Sequence, residues 1–263
     1  MKKMKTAVLL ILVLSTASLA SAQPSDSVTL EPVKQLRKGV DAWPLIANPT
    51  TPAEQHINAT LSRLNQRMQQ SLRDCDQSAR DAFKELGSDA PKGQDPTADD
   101  WQRTIKVTMT GPLFLSIVAS DDTSCGGAHP DTDTLAMVFD LTSGRPANWM
   151  NLIAKSANAS SHSDSITDGT TVGALIVPAL RAISVAKADK DCKDAFEDPQ
   201  SYQIWPDARS GTLVAEPFDL PHVVAACADD LALTIDQARK LGFDEALLTA
   251  IATAHRRNTS AQR

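Results

Sequence analysis

Apolar positions along this chain change their period several times, and each change marks an element. Ile57, Leu61, Leu64, Met68 and Leu72 follow one another at intervals of four, three, four and four residues, the spacing that lines one face of an α-helix. Thr51-Pro52-Ala53-Glu54 stands just ahead of them. This is a capping box with proline at the first helical position, in which hydroxyl and carboxylate each satisfy an otherwise orphaned amide. The pattern predicts a helix running through Leu86 and stopping at Gly87. Cys75 lies three residues beyond Leu72 on the same stripe, so its sulfur is expected to face the core. Ser88–Ala98 then interrupts regular structure with two prolines and a glycine.

From Thr104 the period drops to two. Thr104–Met109 alternates, Leu113–Val118 does so less strictly, and Gly111-Pro112 between them is a turn signal, which predicts a hairpin. Leu135–Phe139 reads as a third strand, with a turn at Ser143-Gly144. Trp149–Lys155 is expected to be a short helix, and Ser156–Thr171, rich in Ser, Asn, Asp, Gly and Thr, an exposed loop. A second helix is expected over Val172–Ala188, with Pro178 as a kink or as its true start. Ser201–Trp205, Thr212–Ala215 and His222–Ala226 are candidate strands separated by Pro206, Pro217 and Pro221. Thr234-Ile235-Asp236-Gln237 is a second capping box with Gly242 as its stop, and a final helix is expected over about Asp244–His255. Residues 23–50 read as an extended arm ending in a short strand, and 256–263 as a disordered tail. Together these elements predict an α+β domain over 51–255, a mainly antiparallel sheet with packed helices stabilised by two disulfides. The linker also permits a finer division into subdomains of about 42–100 and 101–255.

The first 22 residues follow a different logic. Lys2, Lys3 and Lys5 precede the apolar run Ala7–Val13, and Ala20-Ser21-Ala22 supplies small residues at a cleavage position. This is the pattern of a secretory signal peptide, with an apolar run too short to span a bilayer comfortably. Cleavage after Ala22 is expected, leaving a periplasmic or secreted chain with no membrane segment. The 263 residues carry 26 basic and 32 acidic side chains, and loss of the three leader lysines takes the net charge from −6 to about −9. Such an acidic balance argues against general nucleic-acid binding.

Export changes the reading of the cysteines. Cys75, Cys125, Cys192 and Cys227 form no zinc or C-x-x-C spacing, the nearest two being 35 positions apart. An even number in an exported protein suggests two disulfides with three possible connectivities. Cys75–Cys125 and Cys192–Cys227, which join neighbours along the chain, are the favoured pairs.

The least ordinary stretch is Cys125-Gly126-Gly127-Ala128-His129-Pro130. The glycines permit positive φ or close backbone approach, and proline restrains the residue before it. The bland reading is a demanding link between strands. The sharper one gives His129, Asp131 and Asp133 to a metal, as one nitrogen and two oxygens. No G-x-S-x-G, H-E-x-x-H or phosphate-loop motif occurs. His56, His162, His222 and His255 are scattered, and Asp121-Asp122 and Asp229-Asp230 fit exposed turns. No catalytic residue and no cofactor is assigned.

One resemblance adds to this. Cys125–Pro130, then Val138-Phe139-Asp140-Leu141, Thr142-Ser143-Gly144 and Trp149-Met150-Asn151-Leu152-Ile153, resembles a domain of unknown function. That domain lies in the extracellular part of RsiV, the lysozyme-sensing anti-sigma factor, and also accompanies PdaC-type peptidoglycan deacetylases. Ile57-Asn58 and Leu113–Val118 fit its first half. The resemblance implies an α+β fold and an envelope location. The expected mature chain has neither a membrane span nor the deacetylase metal motifs, so sigma-factor control and deacetylation are not carried over. The expected function is a non-enzymatic module that binds a cell-wall glycan or an envelope protein, with lysozyme-like enzymes as one partner class. The alternative is a metal-dependent hydrolase of peptidoglycan or a related polymer using His129.

Overall fold

A computed structural model describes residues 27–87, 97, 101–127, 131–165, 171–196, 198, 200–218, 220 and 222–261. It contains two five-stranded sheets. The first comprises β1 (Gln35–Arg37), β2 (Val40–Asp41), β3 (Trp101–Thr110), β4 (Phe114–Thr123) and β5 (Asp131–Asp140), paired in that order. The second comprises β6 (Ser160–Ser165), β7 (Thr171–Ile176), β8 (Ser201–Asp207), β9 (Thr212–Phe218) and β10 (Leu231–Leu233), ordered β10-β9-β8-β7-β6. All pairings between strands are antiparallel except β2 with β3. The helices are α1 (Pro52–Glu85), α2 (Pro178–Lys187), α3 (Ile235–Lys240) and α4 (Glu245–Ala261). The α+β expectation holds, with two sheets in place of one.

α1 begins where its cap demands. Thr51 Oγ1 accepts the Glu54 N–H at 3.1 Å, and Glu54 Oε2 accepts the Thr51 N–H at 3.2 Å. Its apolar stripe is buried as the spacing predicts, with Ile57, Leu61 and Leu64 against Leu115, Ile117, Ala119, Leu135 and Phe139. α1 and the β4–β5 pair thus share one core across the sequence position near residue 100. Alternate residues of β4 point the other way, and Phe114 and Val118 join a second core with Ile204, Trp205, Leu247 and Ile251.

A bulge allows β3 to serve both cores. Val107 pairs with Ile117 but Met109 pairs with Ser116, so Thr108 is the extra residue and Met109 turns to the second core. The polar groups freed there are used. Thr108 Oγ1 donates to Ser116 Oγ at 2.7 Å, and the Thr108 carbonyl accepts the Ala208 N–H at 2.9 Å.

The arm is not a free extension. Over its described residues it forms β1 and β2, and an isolated bridge joins Leu30 to Ile46. Trp43 and Ile46 are buried against α1 and β4. Both disulfides form in the favoured pairing, Cys75–Cys125 and Cys192–Cys227.

Several local expectations are corrected. Part of the expected Ser156–Thr171 loop is β6, because these polar residues pair along β7. The helix expected from Val172 starts at Pro178, whose missing N–H suits the first helical position, and the residues before it form β7, paired with β6 and β8. His222–Cys227 is a 3-10 turn, not a strand. Trp149–Lys155 divides into 3-10 turns at Trp149–Asn151 and Lys155–Ala157. The tail is helical to Ala261, where Thr259 and Ser260 hydroxyls donate to the Arg256 carbonyl at 3.0 and 2.8 Å. Pro206 and Pro217 lie inside strands instead of dividing them. Pro206 falls beyond the short β7–β8 pairing and Pro217 beyond the short β9–β10 pairing, so neither removes a ladder bond.

Candidate functional site

The Cys125–Pro130 segment places its first glycine hard against α1. Gly126 has φ +77°, and a Cβ there would stand 2.8 Å from the Ala79 Cα. The Cys75–Cys125 bond anchors the same contact from the next residue. Gly127 closes the turn by donating to the Ser124 carbonyl at 2.6 Å. Ala128, His129 and Pro130 lie outside the described residues, and with them the central member of the predicted metal set. Asp131 and Asp133 share one face of β5, opposite Thr123 and Asp121 respectively.

Asp121 itself is committed elsewhere. It accepts from Trp101 Nε1 at 2.8 Å, from Arg103 Nε at 2.7 Å and from an Arg103 terminal nitrogen at 2.5 Å. Arg103 and Asp121 side chains are 0% and 2% exposed, and the guanidinium lies 5.7 Å from the centre of the Trp43 ring. A buried bidentate pair stacked on tryptophan is a structural arrangement, since both charges are consumed by each other. Among the described residues no group of three or more His, Cys, Asp or Glu side chains could hold a metal ion.

The histidines divide in a similar way. His56 is exposed on α1. The His255 ring nitrogen Nδ1 lies 3.1 Å from the carbonyls of Ala208 and Arg209, tying α4 to the β8–β9 turn. The side chains of His162 and His222 lie outside the described residues. Asp121 is buried, not part of an exposed turn, whereas Asp122 and Asp229 are exposed, and Asp230 is exposed as a residue with its carboxyl partly covered beside Glu216.

The strongest electrostatic feature lies where the two sheets meet. Gln203 of β8 is 2% exposed, and its Oε1 accepts the Ala136 N–H of β5 at 2.7 Å. Its Nε2 donates to the Thr134 carbonyl. Glu216 of β9 stands opposite Gln203 in the ladder, and its carboxyl is hydrogen-bonded by the Thr134 side chain. Burial, then the neighbouring Asp230 charge, push the Glu216 carboxyl up to about 7, against the smaller opposing effect of Thr134. Asp230 is raised too, first by burial, with Lys106 opposing and Asp229 adding to it. A carboxyl held near neutrality can gain or lose a proton in the working range. Sequence reasoning missed Glu216, Gln203 and Thr134. The available signal was Glu216 and Gln203, each set among apolar neighbours in β9 and β8; Thr134 closes the polar run that opens β5 and gave none.

An apolar cleft of about 430 Å³ lies between the β3–β4 turn and α4, lined by Pro112, Leu113, Ala246 and Ala250. Its only charged lining residue, Glu245, is bound to Arg239 at 2.5 Å.

These features define a disulfide-linked, two-sheet α+β protein in which buried polar side chains such as Gln203 join one sheet to the other. The sequence matches no family model and no curated protein. Among the described residues no helix is long and apolar enough to cross a membrane.

Proposed function

We propose that this chain is an exported, non-enzymatic module that offers a rigid surface to a cell-wall component or an envelope protein. The observation that carries the reading is the pair of disulfides, Cys75–Cys125 and Cys192–Cys227, which include all four cysteines. Disulfides of this kind persist outside the reducing cytosol, in agreement with the leader-like first 22 residues. The first ties α1 to the end of β4, and the second ties the segment after α2 to the segment before β10. Both lock scaffold against scaffold and leave no thiol for chemistry. The likeness of residues 113–153 to the RsiV and PdaC-type domain supports an envelope setting, and the mature charge of about −9 favours a basic partner.

The test uses the mature chain beginning at Gln23. Saturable binding to purified peptidoglycan sacculi or to a basic lysozyme, weakened by salt for the protein partner, is the expected result. Absence of binding to both at high micromolar concentration overturns the reading. A stoichiometric transition metal that is lost in His129→Ala, together with cleavage of sacculi, would replace it with the hydrolase.

A further inference from the structure

Glu216 sits on a rung of the β8–β9 ladder from which both strands reach across to β5. It faces Gln203 in the β8–β9 ladder, and directly opposed side chains in an antiparallel pair leave the sheet on the same side. Gln203 holds the backbone of Thr134 and Ala136, while Glu216 holds the Thr134 side chain. A single residue of the first sheet is therefore gripped by two side chains of the second.

The third neighbour is acidic. Leu231 pairs with Ala215, so the next rung of the same antiparallel register sets Asp230 across from Glu216. The groups facing Glu216 are Gln203 from β8, Thr134 from β5 and Asp230 from the approach to β10. Asp229 adjoins Asp230, and Lys106 of β3 acts on Asp230 from the first sheet. β10 itself holds β9 through three residue pairs. It is tethered at its leading side by the Cys192–Cys227 bond, so the edge can loosen without leaving.

We propose that the seam carries a proton-controlled latch on the β9–β10 edge: neutral Glu216 lets Asp230 lie across from it and keeps that edge closed, and ionisation sets two opposed carboxylates against each other and loosens the edge, while the Thr134 hydroxyl goes on holding the carboxylate to β5. The latch rests on no assumption about the ligand and stands apart from the proposed binding role. Its direction follows from linkage. Folding raises the Glu216 carboxyl from 4.5 to about 7, so the closed state gains stability fully below the unfolded value and loses it as pH rises through the folded one. The chain is tight in acid and looser above neutrality.

Hydrogen exchange of the full mature chain, corrected for the intrinsic pH dependence of exchange, reads the latch directly. Protection of the Leu231 and Leu233 amides is expected to fall several-fold per pH unit, up to about tenfold, between pH 5 and 7 and to level off above about 8. Amides of central β4 keep a shallower profile. Glu216→Gln, which keeps the hydrogen-bonding outline but cannot ionise, is expected to flatten the β10 profile. Asp230→Asn shifts its midpoint to lower pH. Equal slopes in wild type and Glu216→Gln overturn the proposal. Should Glu216→Gln fail to fold, carboxyl carbon NMR of the wild type decides, and a Glu216 midpoint near 4.5 overturns it.

Discussion

Asn58 holds both backbone polar groups of Ile46, its Oδ1 accepting the N–H at 2.7 Å and its Nδ2 donating to the carbonyl at 2.9 Å. Two helical turns later Asn65 does the same for Trp43, at 2.8 and 3.0 Å. A side-chain carboxamide thus replaces the neighbouring strand that this part of the arm lacks. Ile46 is 3% exposed, so water cannot take over. Asn58→Ala is expected to cost about 2–3 kcal/mol, because it strands a buried donor and a buried acceptor. Urea titration should show a lower midpoint with an unchanged slope.

Asp121 compensates a charge that cannot reach solvent. Asp121→Asn removes the carboxylate that binds the buried Arg103 guanidinium through two nitrogens, and a loss of about 3–5 kcal/mol is expected. The combined replacement Arg103→Met with Asp121→Leu should recover much of that loss, since it removes both desolvation penalties. A double-mutant cycle measured by denaturation checks the coupling. Additive losses would show that the pair does not act as a unit.

The two cross-links close loops of 50 and 35 residues. In the chain-entropy account each restricts the unfolded state by about 4 kcal/mol. Replacing either pair by serine is expected to lower the thermal midpoint, and full reduction to lower it further. Thiol titration of the unreduced, denatured protein should find no free cysteine.

Gly126 and Gly87 offer a controlled comparison. Both have positive φ, +77° and +52°, but a Cβ at Gly87 meets nothing within 4 Å whereas one at Gly126 meets α1 backbone. Gly87→Ala should cost only the backbone preference, about 1 kcal/mol. Gly126→Ala should cost clearly more, because α1 must shift or the cross-link at Cys125 must strain. Paired thermal melts of the two variants give the difference.

The sequence by itself determined those elements whose forces are local. The Thr51 capping box and the Ile57–Leu72 stripe specify α1, the hairpin around Gly111-Pro112 specifies β3 and β4, and the Thr234 capping box specifies α3. Each depends on residues within a few positions of one another. The cysteine pairing was also legible, as bonds between neighbours along the chain. Tertiary structure alone decided the rest. β6 has a loop-like composition and becomes a strand because β7 is there to pair with it, and Pro206 and Pro217 are tolerated in strands because adjoining strands are short. The arm is held by side chains of a helix that follows it. The seam uniting Gln203, Glu216 and Thr134 joins residues as much as 82 positions apart, and no local pattern encodes which strand will lie across from another. Polar residues at inward positions are costly until a partner arrives from a distant part of the chain, so their meaning exists only in the folded protein.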